Sequence, residues 1–305
     1  MKKLIGFTFI FSMIMCLMSC SGREKKLDIR LDGKSYQKTA MVVAIPEEKT
    51  ALIKGSDSNA SEIFTEGHDV TLSAFAIGQY EVTEEFFEAV MGINPSEVTE
   101  DLAEDENQKL RPVEWVNWFE AITFCNKLSL KTGLEPYYSV KADGNEIDWK
   151  NLSYDDAGKG WENVSCTGSN GYRLPTEAEW EFAARGGNQN DKKNWNYAYS
   201  GSNSIDEVAW YRGNSGFKIH EVGKKSPSKL KLYDMTGNVW EWCYDLPGNF
   251  SKETVKDSMG NESSERIIRG GDWDFDASGA AVSYRRSVDP AFHTNDIGFR
   301  IARSL

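Results

Sequence analysis

The feature that most constrains this chain is the decapeptide from Tyr233 to Trp242, which reads Tyr-Asp-Met-Thr-Gly-Asn-Val-Trp-Glu-Trp. It sets two carboxylates, Asp234 and Glu241, among bulky apolar side chains. Burying a charge beside large aromatic rings is costly unless its oxygens are paired or bind a cation. Carboxylate and main-chain oxygens are ligands that Ca²⁺ takes, although this is not the pattern of an EF-hand loop. The alternative is a solvated turn between two core tryptophans, and spacing alone leaves both interpretations open.

The composition favours one large core and disfavours one class of partner. The 305 residues are 40% hydrophobic and 12% aromatic, with 10 tryptophans. That content is enough for a loop-rich fold held by large side chains. The net charge of −12 argues against a nucleic-acid partner, because binding phosphates requires an excess of lysine and arginine.

The N-terminus has the pattern of a bacterial export signal. Two lysines precede an apolar run, residues 4–18, that is too short to span a membrane. The run leads into Met-Ser-Cys20, which resembles a lipoprotein processing site. We expect residues 1–19 to be removed, Cys20 to carry lipid, and the polar residues 20–38 to form a tether from the outer membrane at the cell surface. The alternative is an ordinary cleaved signal peptide with an incidental cysteine.

The remaining cysteines do not predict a metal or redox site. Cys125, Cys166 and Cys243 form neither a CxxC pair nor a cluster with the scattered histidines. A zinc site is therefore not expected. Their odd number leaves two alternatives, one disulfide with a free thiol or three buried thiols.

Local patterns predict strands at 41–45 and 70–77, three helices, and a long surface loop over 141–171. The predicted N-caps are Thr83, Asn117 and Thr176, and the last two are followed three residues later by Glu, as in a capping box. The second helix places Cys125 on its apolar face, so we expect a core thiol. In the third helix, the acidic residues are expected to compensate the helix dipole and to lie on a solvated face; they are Glu177, Glu179 and Glu181.

Several stretches resemble the formylglycine-generating-enzyme (sulfatase-modifying factor) family. The strong matches are Tyr172–Gly187, Gly237–Trp242, Arg269–Gly271 and Ile297–Arg300, and the weaker ones are Gly78–Thr83 and Arg111–Val116. They occur in family order from about residue 40 to the C-terminus. The resemblance implies an α+β fold of the C-type lectin type, irregular and loop-rich, in one domain over residues 39–305.

The resemblance also implies where oxidase chemistry would lie. The family's enzymes oxidise a cysteine of a sulfatase to formylglycine with two cysteines that bind copper, and soft thiolates select Cu(I). Those positions fall on Phe275 and Ala280 here, and no cysteine follows Cys243. We therefore expect no copper and no catalytic residue, and a sulfatase-modifying oxidase is the disfavoured alternative.

The family's calcium turn maps onto the decapeptide. The implied ligands are the side chains of Asp234 and Glu241 and the carbonyls of Gly237 and Val239. A second family site maps onto Val208, whose side chain cannot ligate. We expect one structural Ca²⁺.

Residues 269–305 interleave the family framework with small, acidic and aromatic residues. This texture resembles the variable proteins of diversity-generating retroelements, in which a lectin-type scaffold presents side chains rewritten at adenines; some are spirochaete lipoproteins. The expected ligand-binding positions are Asp272, Asp274, Phe275, Asp276, Ser278, Gly279, Ser287, Val288, Asp289, Ala291, Phe292, His293, Thr294 and Asn295. Phe275 and Phe292 would be apolar anchors for a protein or glycan on another cell.

Two alternatives remain for this region. Instead of a diversified binding site, it could be a family loop region that drifted after catalysis was lost, or part of a structural subunit of a surface complex that does not vary.

Overall fold

The computed structural model describes residues 26–44, 51–53, 68–99, 102–187, 196–247, 255–256 and 265–305. The predicted signal peptide and the lipid attachment at Cys20 lie outside these residues. Within them, no helix combines the length and apolar character needed to cross a membrane.

Helices are few and short, and strands are numerous. The helices are α1 (Glu84–Met91), α2 (Trp118–Lys131), α3 (Glu177–Ala184) and α4 (Ile205–Val208), with a 3-10 turn at Gln108–Leu110. The strands are β1 (Lys26–Leu27), β2 (Arg30–Leu31), β3 (Lys34–Ser35), β4 (Met41–Ala44), β5 (Ala51–Ile53), β6 (His68–Thr71), β7 (Phe75–Gly78), β8 (Tyr138–Ser139), β9 (Lys141–Ala142), β10 (Asn145–Glu146), β11 (Ser165–Cys166), β12 (Tyr172–Arg173), β13 (Trp240–Trp242), β14 (Val255–Lys256), β15 (Arg266–Arg269), β16 (Arg285–Val288), β17 (Ile297–Gly298) and β18 (Ala302–Ser304).

Two sheets organise the chain. A five-stranded antiparallel sheet has the order β1-β4-β7-β18-β12, and a four-stranded sheet has the order β16-β15-β13-β17. In the second sheet β13 is antiparallel to β15 and parallel to β17, with Glu241 opposite both Arg269 and Gly298. The rest are a three-stranded sheet, β14-β6-β5, and two-stranded ribbons. The predicted α+β class is confirmed.

The helix boundaries follow the predicted caps. Thr83 accepts a hydrogen bond from the Phe86 amide at the start of α1, and Gly92 ends α1 in the left-handed conformation. Asn117 and Thr176 form complete capping boxes with Glu120 and Glu179. The strand predicted at 70–77 is instead divided between β6 and β7, which belong to different sheets.

Large aromatic side chains fill the core. The Phe87 and Phe124 rings stack at 5.4 Å on one side of the five-stranded sheet, and Phe299 packs edge-on against both. A second cluster contains Phe75 and Trp180. Cys125 is fully buried in the first cluster, as predicted from its position in α2.

The predicted tether is wrong for residues 26–38. β1 pairs with β4 of the large sheet, and β2 and β3 form a hairpin. Ile29 and Leu31 are only 3% and 2% exposed. Alternate apolar residues in this otherwise polar segment are enough to attach it to the core. Residues 20–25 lie outside the described part.

The predicted solvated face of α3 is also wrong. Glu177, Glu179 and Glu181 are all buried. Glu179 forms an ion pair with Arg173 at 2.6 Å, and Glu181 pairs with Arg185 at 2.8 Å. The acidic residues of α3 therefore hold buried arginines, as well as lying near the positive end of the helix dipole.

Candidate functional site

The decapeptide forms a buried turn, so the interpretation as a solvated turn is wrong. Every residue from Asp234 to Trp242 is buried. Asp234, Gly237 and Asn238 have φ values of 56°, 76° and 67°. At Gly237 an added Cβ would collide with the carbonyl of Trp210, so both the backbone conformation and the close approach require glycine.

Glu241 is held in a buried ion pair with Arg300. Its two carboxylate oxygens accept from the Arg300 guanidinium at 2.6 Å each, and one also accepts from Trp180 Nε1 at 2.7 Å. Arg300 donates further to the carbonyls of Gly78 and Tyr233 at 3.0 Å. The Gly-Phe-Arg stretch therefore ties the C-terminus to the centre of the four-stranded sheet.

These contacts bear on the predicted calcium ligands. Both oxygens of Glu241 face a guanidinium, which would repel a cation placed beside them. Asp234 accepts from the Gly223 amide through Oδ2 at 2.7 Å, while Oδ1 is buried without a partner. Burial raises the pKa of Asp234 to about 6. The carbonyls of Gly237 and Val239 lie in the same turn, but the set does not fit Ca²⁺ while the Glu241–Arg300 pair is closed. The expected calcium site is untested, and these contacts disfavour it.

The resemblance places the family's two copper-binding cysteines at Phe275 and Ala280. Ala280 is fully buried and Phe275 is half-buried. The three described cysteines are free thiols, which excludes a disulfide among them, and Cys166 is half-buried. Burial raises the pKa of both Cys125 and Cys243, so neither is poised as a thiolate.

The four-stranded sheet brings two C-terminal segments together at one end of its strands. β15 ends at Arg269 beside Glu241, so the segment that follows it emerges at the Trp240 end of β13. β17 runs parallel to β13 and begins opposite Trp240, so the segment that precedes β17 arrives at the same end. We call residues 272–278 and 287–295 together the C-terminal face.

The structure leaves most of the predicted ligand-binding positions at least partly exposed. Asp276, Ser278, Asp289, Ala291, Phe292 and Asn295 are exposed, and Asp274, Phe275, Ser287, Val288, His293 and Thr294 are half-buried. The other two predictions are wrong, because Asp272 and Gly279 are buried. A Cβ on Gly279 would collide with the Phe275 ring, so this glycine supports the ring from beneath.

The two predicted apolar anchors differ. Phe292 is 51% exposed and free to contact a partner. Phe275 packs edge-on against Trp240 at 5.5 Å and lies 5.9 Å from Tyr284, and the Arg286 guanidinium lies 5.7 Å from its ring. Phe275 therefore joins the face to the core, and only part of its ring is available to a ligand.

The buried carboxylate of Asp272 organises the first segment. Its Oδ1 accepts from the Asp274 amide at 2.5 Å, which holds the turn after Gly271. Burial, and then the negative charge of Asp296, raise the pKa of Asp272 to about 7. Burial also raises the pKa of Asp296. Asp272 and Asp296 are thus two partly buried carboxyl groups beneath the C-terminal face, and the ionisation of one disfavours that of the other.

The second segment rests on the beginning of α2. His293 Nε2 lies 3.0 Å from Glu120 and 3.3 Å from Asn117, the two residues of the α2 capping box. The Trp115 amide donates to the Thr294 carbonyl at 3.1 Å. Trp115 has φ of 60°, a strained conformation for an aromatic residue, and its ring lies 6.3 Å from His293.

Two further residues border the face and were not predicted. Arg212 reaches both Asp274 and Asp276 at 3.2 Å, and its backbone amide donates to the Phe275 carbonyl. Phe217 is 67% exposed with φ of 60°, on a turn whose Ser215 hydroxyl donates to the Trp273 carbonyl at 2.7 Å. No local pattern identifies these residues, because the turn joins the face only in the folded chain.

Comparisons with known proteins agree with this fold. The sulfatase-modifying factor enzyme 1-like domain matches residues 33–305. Chaperone protein LppX of Paenibacillus barcinonensis is 37% identical over 270 residues, covering 83% of this chain and 88% of that protein. The inactive C-alpha-formylglycine-generating enzyme 2 of Mus musculus is 28% identical over 260 residues, covering 77% of each.

A solved structure extends the agreement to the whole architecture. Treponema denticola variable protein 1 is 38% identical and superposes with a TM-score of 0.81, covering 92% of this chain and 99% of that one. This similarity supports the resemblance to variable proteins, and the fold is of the formylglycine-generating-enzyme and variable-protein type. The chain belongs to the sulfatase-modifying factor enzyme 1-like family.

Proposed function

We propose that this protein displays its C-terminal face as a diversified ligand-binding surface and catalyses no oxidation. One observation carries the proposal. Within residues 269–305 the motif side chains Arg269, Phe299 and Arg300 are buried, whereas most residues between the motifs are exposed or half-buried. Substitutions at the exposed positions leave the core and the buried ion pairs intact, which is the property a variable site needs.

The chemistry of the face suits a protein or glycan on another cell. Phe292 and the bordering Phe217 offer exposed apolar rings. Asp276, Asp289 and Asn295 add exposed polar groups, and protein interfaces combine such groups with aromatic residues. The net charge of −12 disfavours nucleic acid.

The proposal that the chain is not an enzyme rests on its own residues. Phe275 and Ala280 stand where the resemblance implies copper-binding cysteines. Neither side chain can bind copper or exchange a disulfide. The similarity to variable protein 1 and to an inactive enzyme is in keeping with this absence.

Attachment to the membrane through Cys20 is part of the proposal. Metabolic labelling with an alkyne palmitate should mark the wild-type chain and not Cys20→Ser. Labelling of both would place the lipid elsewhere, and labelling of neither would indicate an ordinary cleaved signal peptide.

The display function is tested with two libraries of equal size. One randomises Asp276, Ser278, Asp289, Ala291 and Phe292; the other randomises the buried framework residues Arg269, Ala280, Val282, Phe299 and Arg300. We expect most members of the library at the exposed positions to unfold cooperatively with a urea midpoint near that of wild type. Most members of the library at the buried framework positions should already be unfolded without urea. If both libraries lose folding alike, the face is not a tolerant surface.

Binding is tested with glycan arrays and panels of intact bacterial cells. Wild type should bind one of them, and Phe292→Asp should lose that binding while keeping the wild-type melting temperature.

Sequencing beside the gene tests diversification, which predicts a template copy of the last forty or so codons that differs at adenines, together with a reverse transcriptase gene. Their absence would leave a fixed binding site or a structural subunit.

The similarity to chaperone protein LppX favours a second candidate. In it, the exposed rings of Phe217 and Phe292 hold an incompletely folded polypeptide of the same cell. Suppression of the aggregation of a denatured test protein by wild type, and not by Phe217→Asp with Phe292→Asp, would favour this function over recognition of another cell.

A further inference from the structure

A second concave site lies away from the C-terminal face. A cavity of about 770 Å³ opens between the last two turns of α2 and the segment around Trp149. Its walls include Lys127, Leu130 and Lys131 of α2 on one side and Ile147 and Lys150 on the other. This volume is within the range of small-molecule sites in proteins.

The position of the cavity separates it from the face. His293 contacts the beginning of α2 at Asn117 and Glu120. Lys127 lies ten residues beyond Asn117, which is about 15 Å along a helix that rises 1.5 Å per residue. A ligand in the cavity would therefore leave the C-terminal face open.

The walls concentrate positive charge on an acidic protein. Lys127 and Lys131 are one turn apart on α2, and Lys150 faces them across the cavity. Across the described residues, none of the three forms an ion pair. Burial lowers the pKa of Lys127, and the charge of Lys131 lowers it further. The positive charge of Lys131 therefore acts on Lys127 at the cavity wall.

The carboxylate in the cavity wall is already engaged. Asp148 attracts Lys127, but its oxygens serve the turn that follows it. One accepts from the Lys150 amide at 3.1 Å and the other from the Asn151 side chain at 2.6 Å. The single negative charge of Asp148 also acts on Lys150, so three lysines still outnumber one carboxylate in the cavity wall, and an external anion can neutralise the excess.

The floor of the cavity is apolar and fixed. Trp149 is 7% exposed and packs edge-on against Trp161 at 5.5 Å, while Ile147 and Val90 complete the floor. Leu130 is 41% exposed at the rim. A flat ring can lie on this floor while an acidic substituent reaches the lysines. Lysine binds as a mobile point charge, so it accommodates carboxylate, sulfate or phosphate without the planar match that arginine demands.

We propose that this cavity binds a small acidic sugar, or a similar ring that carries one carboxylate, sulfate or phosphate. The ring covers the Trp149 and Ile147 floor, and the acidic group lies between Lys127, Lys131 and Lys150. The site is independent of the C-terminal face and adds a second specificity to the same domain.

A matched pair of ligands tests the proposal by calorimetry on the purified chain. Methylumbelliferyl glucuronide and methylumbelliferyl glucoside share the coumarin ring and the stereochemistry of the pyranose, and they differ at C6, which is a carboxylate in the first and a hydroxymethyl group in the second. We expect the glucuronide to bind about tenfold or more tightly than the glucoside, as a hydrogen bond to a charged group implies, and its binding to weaken as salt rises. Glucose phosphate in parallel distinguishes a phosphate from a carboxylate as the preferred acid.

Protein variants complete the test. Lys127→Gln with Lys131→Gln should lose the preference for the acidic ligand, and Lys150→Gln on the opposite wall should weaken it. Lys34→Gln with Lys109→Gln removes the same charge at exposed positions elsewhere and should have no effect. Equal binding of glucuronide and glucoside, equal loss in the control pair, or no binding of any acidic ligand would overturn the proposal.

Discussion

Replacing Arg300 by methionine tests whether the Gly-Phe-Arg stretch is structural. The change removes the partner of both Glu241 oxygens and leaves that carboxylate fully buried. Glu81 and Asp234 lie close enough to add repulsion. Breaking a buried ion pair costs about 3–5 kcal/mol. The carbonyls of Gly78 and Tyr233 also lose their donor, so we expect a loss of about 4 kcal/mol or more, a large part of a typical domain's stability.

A matched control is available at Arg212. This arginine also contacts two carboxylates, at 3.2 Å each, but its side chain is 47% exposed. Arg212→Met should cost less than about 1 kcal/mol, because water screens an exposed pair. Urea unfolding followed by tryptophan fluorescence measures both free-energy changes in one assay. The dependence of the free energy of unfolding on urea concentration should be the same in both variants as in wild type.

The cost at Arg300 should also depend on pH. Burial and the carboxylates of Asp234 and Glu241 already raise the pKa of Glu81, and the Arg300 guanidinium opposes that rise, so its removal raises the folded-state pKa of Glu81 further above the unfolded value. A folded state that holds a proton which the unfolded state releases loses stability as pH rises. The difference between Arg300→Met and wild type should therefore shrink toward low pH. A loss below about 1 kcal/mol, a loss equal to that of Arg212→Met, or a difference that does not shrink would refute the reasoning.

Three further predictions follow from buried groups. Burial raises the pKa of Glu84 and Glu114 to about 7 and that of Asp245 to about 8, so the urea midpoint of unfolding should fall as pH rises from about 5 to 8. Glu114→Gln should reduce the pH dependence of the free energy of unfolding by up to one proton. A wild-type midpoint that does not change with pH would contradict this prediction. Because Arg300 occupies Glu241, added calcium should not raise the melting temperature; a rise that Asp234→Asn abolishes would place the ion at the predicted ligands. Phe275→Asp should destabilise the fold by about 3 kcal/mol, because it buries a charge and removes the contact with Trp240. Phe292→Asp should change the free energy of unfolding by less than about 0.5 kcal/mol, because Phe292 is exposed. Equal effects of the two substitutions would show that Phe275 is not part of the core.

The predictions that succeeded rest on local chemistry. A helix N-cap depends on residues three positions apart, so Thr83, Asn117 and Thr176 could be identified from sequence. The same holds for Gly92, because a left-handed residue after a helix favours glycine.

The failures come from partners that are far apart along the chain. Glu177 looks like a first-turn residue compensating the helix dipole, but its partner Arg269 is 92 residues away. Glu241 looks like a hard oxygen ligand until Arg300, 59 residues away, occupies it. Asp272 and Gly279 have the residue types of exposed positions, and only the folded chain shows that they are buried, with Gly279 beneath the Phe275 ring. For the same reason, Arg212 and Phe217 could not be assigned to the C-terminal face from sequence.

The placement of β18 has a consequence for faulty copies of the chain. This strand lies between β7 and β12, in the interior of the five-stranded sheet, yet residues 302–304 make it the last of the described strands to be synthesised. A stop codon or frameshift between residues 269 and 302 removes β18 and divides the sheet. Such errors in the part of the gene that encodes the face would then yield chains that fail to fold, and protein quality control would eliminate them.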